Sequence, residues 1–165
     1  MINQILSASL FVLVFSLAGC NQTPSKSFNA GSKNKGIEIA DTILYPVNVI
    51  NLDSTDTWAD TRLKNLHHKN LTDLIFKSLY SGNAKAYNYY THEEISIDKI
   101  KEMEASGDFN RDEMAQLQFE ETWFFNPDEG SMTKEVQSVL LAWPVYDNKG
   151  VFQAYKAGFL VELNP

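Results

Sequence analysis

The chain has 165 residues, of which 14 are basic and 21 acidic, and it contains a single cysteine. A hydrophobic fraction of 44% is enough for a folded core and excludes wholesale disorder, and the length suits one domain. The formal net charge of −7 argues against a nucleic-acid-binding surface, which has to be basic. One cysteine excludes an internal disulfide framework and a cysteine-rich zinc site.

The N-terminal segment is apolar and ends at that cysteine. Ile5 to Leu17 carries no charge and is shorter than the roughly 20 residues that span a bilayer, which is typical of the apolar part of a secretory signal. The following Leu17-Ala18-Gly19-Cys20 resembles the lipobox of bacterial lipoproteins, in which the cysteine thiol takes a lipid. An ordinary secretory signal, or a buried apolar helix with a packed cysteine, are the alternatives. We expect residues 1–19 to be a lipoprotein signal peptide and Cys20 to be a lipidated membrane anchor.

Residues 20–36 are rich in serine, asparagine, glycine and lysine, which predicts a flexible tether. Asn21 is not the aspartate that keeps lipoproteins in the inner membrane of well-studied Gram-negative bacteria. The acidic run typical of surface-exported lipoproteins of Bacteroidetes is also absent from this segment. This resemblance implies the outer membrane, facing the periplasm. All three tether charges are lysines, so residues 37–165 hold 11 basic and 21 acidic side chains, a net charge of −10 that favours basic partners.

The first part of the predicted domain mixes extended and helical patterns. β-branched residues and Pro46 predict an extended entry segment or edge strand, and the polar segment after it predicts a loop with a short turn. Two later segments have apolar residues at helical spacing behind residues that can cap a helix. In chain order we expect an edge strand at 37–52, a loop at 53–60, a helix at 71–80 capped by Asn70, a short strand at 85–90 and a helix at 96–106 capped by Ser96.

Beyond residue 115 the pattern changes to the alternation of strands. Three strands are expected at 116–125, 133–145 and 151–163, separated by turns at 126–130 and 147–150. Residues 37–165 are therefore predicted to form an α+β fold, a single compact domain with two helices followed by an antiparallel three-stranded meander. The apolar residues expected to share a face are Leu117, Phe119, Trp123 and Phe125 on the first strand, and Val151, Tyr155, Phe159 and Val161 on the third.

Three consecutive aromatic residues, Trp123, Phe124 and Phe125, stand on the first of these strands. They cannot all face one core, because strand side chains alternate between the two faces. Phe124 is then either exposed or covered by a partner, which marks an interaction surface, or the helices cover one face and the N-terminal segment covers the other. We take these three residues as the candidate partner-binding residues.

Candidate catalytic groups are few. Adjacent histidines at 67 and 68 point to different sides of an element and cannot chelate a metal together; with His92 they are expected in solvated loops. The acidic pairs Glu120–Glu121 and Asp112–Glu113 are expected at the surface. The sequence holds no nucleophile elbow, Walker loop or dinucleotide fingerprint. We therefore expect no catalytic residue, metal ligand or cofactor, although a lipoprotein that binds or hydrolyses a small ligand or glycan is an alternative.

Several segments resemble one family. The block Glu121–Asn126, then Ser131-Met132 and Ala142-Trp143-Pro144-Val145, is similar to the C-terminal core of the GldN/PorN gliding-motility family. The helix beginning at Leu71 and the segment Ser81–Tyr87 resemble the upstream part of that family, so the similarity covers about residues 45–147. The resemblance implies a periplasmic component of the type IX secretion or gliding apparatus that works by protein–protein contact. The expected partners are therefore the envelope proteins of that complex, together with the membrane through the lipid anchor.

Overall fold

The computed structural model describes residues 36–163 and residue 165. The predicted signal peptide, the lipobox residues Leu17, Ala18 and Gly19, the predicted lipidation site Cys20 and the tether up to residue 35 lie outside the described residues. In chain order the described elements are β1 (Ile37–Asn48), α1 (Thr57–Leu63), α2 (His68–Tyr80), β2 (Lys85–Asn88), β3 (Glu94–Ile95), α3 (Ile97–Ser106), a 3-10 turn (Arg111–Glu113), β4 (Gln116–Asn126), β5 (Ser131–Tyr146) and β6 (Phe152–Glu162).

The six described strands form one antiparallel sheet in the order β1-β4-β5-β6-β2-β3. The predicted meander is its centre, β1 pairs along the outer side of β4, and β2 and β3 extend the sheet beyond β6. The α+β class and the single compact domain are confirmed. The prediction of two helices and three strands understated the fold, because α1 is a further helix and β1, β2 and β3 enlarge the meander to six strands.

The helix starts follow local capping and one long-range contact. The segment predicted as a loop runs into α1, which begins after Asp56, whose carboxylate accepts the N–H of Ala59 at 2.9 Å. The prediction that Asn70 caps this helix is wrong, since α2 already begins at His68. The His68 ring donates to the carbonyl of Met114 at 2.7 Å, which holds this first turn against the start of β4. Ser96 caps α3 as predicted.

Helices α2 and α3 share one apolar core with the strands. Its members come from alternate positions of β4, β5 and β6, as expected for the inner face of a sheet. Burying one large apolar side chain of this kind stabilises the folded state by about 1.5–3 kcal/mol. Buried members include Ile75, Phe76, Leu79, Ile100, Leu117, Val139, Leu141, Phe159 and Val161. No described helix has the length and apolar character needed to cross a membrane.

A β-bulge changes the predicted register of β6. Between residues 157 and 160 this strand advances by three residues while β5 advances by two. The prediction that Val151, Tyr155, Phe159 and Val161 share one register is therefore wrong. Phe159 and Val161 lie in the core, whereas Tyr155 lies outside it.

Candidate functional site

Three apolar side chains form an exposed strip at the end of the sheet where β1 begins. Phe125 of β4 pairs with Ile37 on one side and with Met132 on the other. Directly paired residues share a face of the sheet, so the three side chains are neighbours. Ile37, Phe125 and Met132 are 54%, 39% and 52% exposed. We call these three residues the tether-end row, because the predicted tether precedes Ile37.

The three candidate partner-binding residues separate between the two faces. Phe125 belongs to the tether-end row, and Trp123, half-buried, lies two residues away on the same strand face. Phe124 points to the opposite face and is only 7% exposed. Phe124 is thus covered, and it does not add to the exposed surface; a role of Trp123 and Phe125 in partner binding stays a prediction.

A buried carboxylate lies behind the tether-end row. Glu121 is 4% exposed, and it accepts hydrogen bonds from the Tyr45 hydroxyl at 2.7 Å and from the Trp123 indole Nε1 at 2.8 Å. The Lys134 ammonium lies 3.6 Å from Oε2 of the same carboxylate and 4.2 Å from the centre of the Trp123 ring. We call these four residues the Glu121 network. It fixes an aromatic ring and a cation next to the exposed row.

The Glu121 network favours a charged carboxylate beside a neutral tyrosine. Burial by itself raises the pKa of Glu121, but the hydrogen bonds from Tyr45 and Trp123 and the charge of Lys134 outweigh it, so the pKa is lowered. The hydrogen bond to Glu121, together with burial, raises the pKa of Tyr45. Both groups therefore keep their protonation states near neutral pH. The arrangement orients side chains and suits a binding surface better than proton transfer.

The surface position expected for Glu121 is wrong. Glu120 and Glu121 point to opposite faces, as adjacent strand residues do. Glu120 accepts a hydrogen bond from the Ser138 hydroxyl at 2.6 Å, whereas Glu121 is enclosed by aromatic side chains. A signal for this was present in the sequence. Glu121 is the acidic position in an alternating series that also contains Phe119 and Trp123.

Gly36 places the end of the predicted tether against this site. Its φ of +91° is in the left-handed region, and a Cβ there would lie 2.4 Å from the carbonyl oxygen of Phe125. Only glycine permits this approach of two backbones. The chain therefore enters the sheet directly beside the tether-end row.

A second polar network joins the helices. Arg111 of the 3-10 turn donates to both carboxylate oxygens of Glu104 in α3, at 2.5 and 2.7 Å, and Tyr80 of α2 donates to the same carboxylate at 2.5 Å. The guanidinium also lies 4.5 Å from the centre of the Phe76 ring. Burial and the bond to Glu104 raise the pKa of Tyr80 to about 12. We call Arg111, Glu104 and Tyr80 the Glu104 network; it connects three elements on the helical side.

The described residues supply few candidates for chemistry. Across residues 36–163 and 165, no group of three or more His, Cys, Asp or Glu side chains is arranged to hold a metal ion. His67 and His92 are exposed, but His68 is half-buried in α2 and not in a solvated loop. Asp112 and Glu113 are exposed, as expected. The described chain also has a wide cleft of about 1100 Å³ beside α1 and a cavity of about 460 Å³ beside α3.

Comparisons with known proteins leave the family open. No protein-family model matches the chain, and a search of curated proteins finds no match. The resemblance to the GldN/PorN family therefore depends on the sequence segments alone and stays a prediction.

Proposed function

We propose that this protein is a lipid-anchored interaction protein, at the periplasmic face of the outer membrane, that binds another envelope protein through the tether-end row. The observation that carries the proposal is the exposed apolar row Ile37–Phe125–Met132 directly beside Gly36, where the predicted tether joins the domain. An anchor on the tether keeps this end of the domain close to the membrane, where it can bind other envelope proteins.

The chemistry of the row supports a protein partner. Aromatic residues and methionine are enriched at the centres of protein interfaces. The Glu121 network holds Trp123 and Lys134 in place behind the row, so little side-chain ordering is needed on binding. The net charge of −10 on residues 37–165 favours a partner with a basic rim. The family resemblance makes components of the type IX secretion or gliding apparatus the expected partners.

The anchor is tested by Cys20→Ala in the full-length chain. We expect the variant to move from the membrane fraction to the soluble fraction, because it has no thiol to take the lipid. Ser25→Ala, also in the predicted tether, is the matched control and should stay with the membranes. Unchanged fractionation of Cys20→Ala would refute lipidation.

The binding surface is tested by photo-cross-linking in intact cells. A photoreactive amino acid replaces Phe125 or Met132, and as a control it replaces Val151, an exposed apolar residue at the opposite end of β5. We expect a secretion or gliding component to be linked from 125 and 132 but not from 151. Equal cross-linking from all three positions would contradict the docking surface. If the protein is linked to no secretion or gliding component from any position, its proposed place in that apparatus would be contradicted.

A further inference from the structure

The cavity beside α3 has the size and lining of a small-molecule site. It lies between α3, the loop that follows it and strands β5 and β6, and its volume of about 460 Å³ is within the range of roughly 300–1,000 Å³ typical of ligand pockets. Phe109, Trp143 and Phe159 supply an aromatic wall, and Met103 adds an apolar side. The cavity is far along β5 from the tether-end row, so it is a separate feature.

The Trp143 indole is held in place by its neighbours. Its Nε1 donates to the carbonyl of Asn110 at 2.7 Å, and its ring centre lies 5.2 Å from that of Phe109 and 6.0 Å from that of Phe159. Gly158 lies beneath the ring, where a Cβ would come within 2.2 Å of the indole. A glycine at this position lets the indole approach the backbone of β6 closely. The planar ring of a ligand can therefore pack against a preformed aromatic surface, and few side chains have to become ordered on binding.

The rim of the cavity carries more positive than negative charge. Lys99, Lys156 and Asp108 lie there, although residues 37–165 as a whole have a net charge of −10. Lys99 forms an ion pair with Glu102 at 3.0 Å. Lys156 is paired with Trp143 across the strands, and within the described part of the chain its ammonium forms no hydrogen bond or ion pair. A cation that is free to bind an anion thus stands beside the aromatic surface.

Asn88 adds a second donor at the cavity. Its side-chain oxygen accepts the backbone N–H groups of Tyr90 and Thr91 at 2.8 and 3.0 Å, which fixes the amide. Its NH2 group donates to no group among residues 36–163. An ammonium and an amide NH2 are both donors, and together they match the oxygens of a carboxylate or sulfonate.

We propose that this cavity binds a small aromatic organic acid, with its ring against Trp143 and its acidic group on Lys156 and Asn88. The binding is non-covalent. The proposal does not depend on the tether-end row, so either can fail without the other.

The test is calorimetric titration of the full-length protein in phosphatidylcholine nanodiscs, with empty nanodiscs as the blank. The probes are 1-naphthoate and the uncharged 1-naphthylmethanol, which share a ring system and differ in charge. For Lys156→Gln we expect naphthoate to bind about tenfold more weakly or worse, because a charged hydrogen bond is lost. The affinity for naphthylmethanol should change less than about twofold. Lys149→Gln, the same charge change on the turn after β5, should leave both affinities unchanged.

A second variant addresses the aromatic surface. Gly158→Ala displaces the Trp143 indole, and we expect it to weaken the binding of both probes. Circular dichroism checks that the variant keeps its fold. Absence of saturable naphthoate binding to the unsubstituted protein would overturn the proposal. Equal naphthoate affinity with and without Lys156, or an equal loss in Lys149→Gln, would also overturn it, since the anion would then not be bound at this cavity.

Discussion

The Glu121 and Glu104 networks both hold a carboxylate against a tyrosine hydroxyl, but they enclose it in different ways. The Glu121 side chain is 6% exposed and is bound by a tyrosine, an indole and an ammonium that is itself 44% exposed. The Glu104 side chain is 28% exposed and is bound by a bidentate guanidinium. Two neutral donors, one on the same strand and one on β1, satisfy the first carboxylate together with a partly exposed ammonium, whereas a bidentate guanidinium with its full positive charge holds the second.

This difference determines where each network is vulnerable. Loss of Glu121 takes the acceptor from two donors, the Tyr45 hydroxyl and the Trp123 indole on half-buried side chains, and it leaves a void where a buried carboxylate stood. Loss of Arg111 leaves a carboxylate that water can still reach. A buried group without a partner costs more than a partly solvated one. We therefore expect the sheet network to contribute more to stability than the helical one.

Glu121→Ala should have the largest effect, a loss of about 3 kcal/mol in the free energy of unfolding, because the Tyr45 hydroxyl and the Trp123 indole lose their acceptor and a void remains. Urea denaturation followed by fluorescence measures it. Asp128→Ala in the exposed β4–β5 turn is the control and should change stability by less than about 0.5 kcal/mol. A loss no larger than that of the control would show that the network contributes nothing.

Arg111→Met should lower the free energy of unfolding by about 2 kcal/mol, since it removes both bonds to Glu104 but keeps apolar packing over Phe76. The figure is reduced because both side chains are about a quarter exposed. Arg62→Met in α1, whose side chain is 59% exposed, should have almost no effect. If Arg111→Met destabilised the protein more than Glu121→Ala, the order of the two networks would be reversed.

Stability measured at acid pH separates the contribution of the Glu121 charge from that of the side chain's shape. Because its pKa in the fold is below the ordinary 4.5, its contribution to stability is complete above about pH 4.5 and is lost as the pH falls through the lowered pKa. In Glu121→Gln this part of the pH dependence should disappear. Urea midpoints measured between pH 7 and pH 3 test it; parallel curves for the two proteins would contradict the lowered pKa.

Lys134→Gln should have the smallest effect, at most about 0.5 kcal/mol, because its side chain is 44% exposed and the ion pair is screened by salt. Denaturation in low and high salt measures this contribution, which should shrink as salt is added. A loss close to that of Glu121→Ala would mean that the ammonium, and not the two neutral donors, holds the buried carboxylate.

Much of the fold follows from local patterns. The alternation after residue 115 and the helical spacing before residue 80 predicted the meander and α2, and Ser96 marked the start of α3. The short helix α1 was missed because its segment is polar and its capping residue, Asp56, stands among similar residues. The β6 bulge depends on pairing with β5, which one strand's pattern does not contain, so Tyr155 was placed in the wrong register.

The candidate site was predicted only in part. The run of aromatic residues drew attention to Trp123 and Phe125. Met132 joins them through the predicted hairpin but lies just before the predicted strand, and Ile37 joins them through a pairing of β1 with β4 that was not predicted. Glu121 was taken for a surface residue because it has an acidic neighbour. Its burial depends on Tyr45, 76 residues away in the chain.

The contact of Gly36 with the backbone of Phe125 has a mechanical consequence. Under the proposed function, the membrane pulls on the domain at Gly36 and the partner pulls at Phe125 and Met132. Tension between the two would cross only neighbouring strands at one end of the sheet. The helices and the cavity beside α3 lie off this line of force. The domain can then transmit a load through one end of the sheet while the cavity at the other end of β5 keeps its shape.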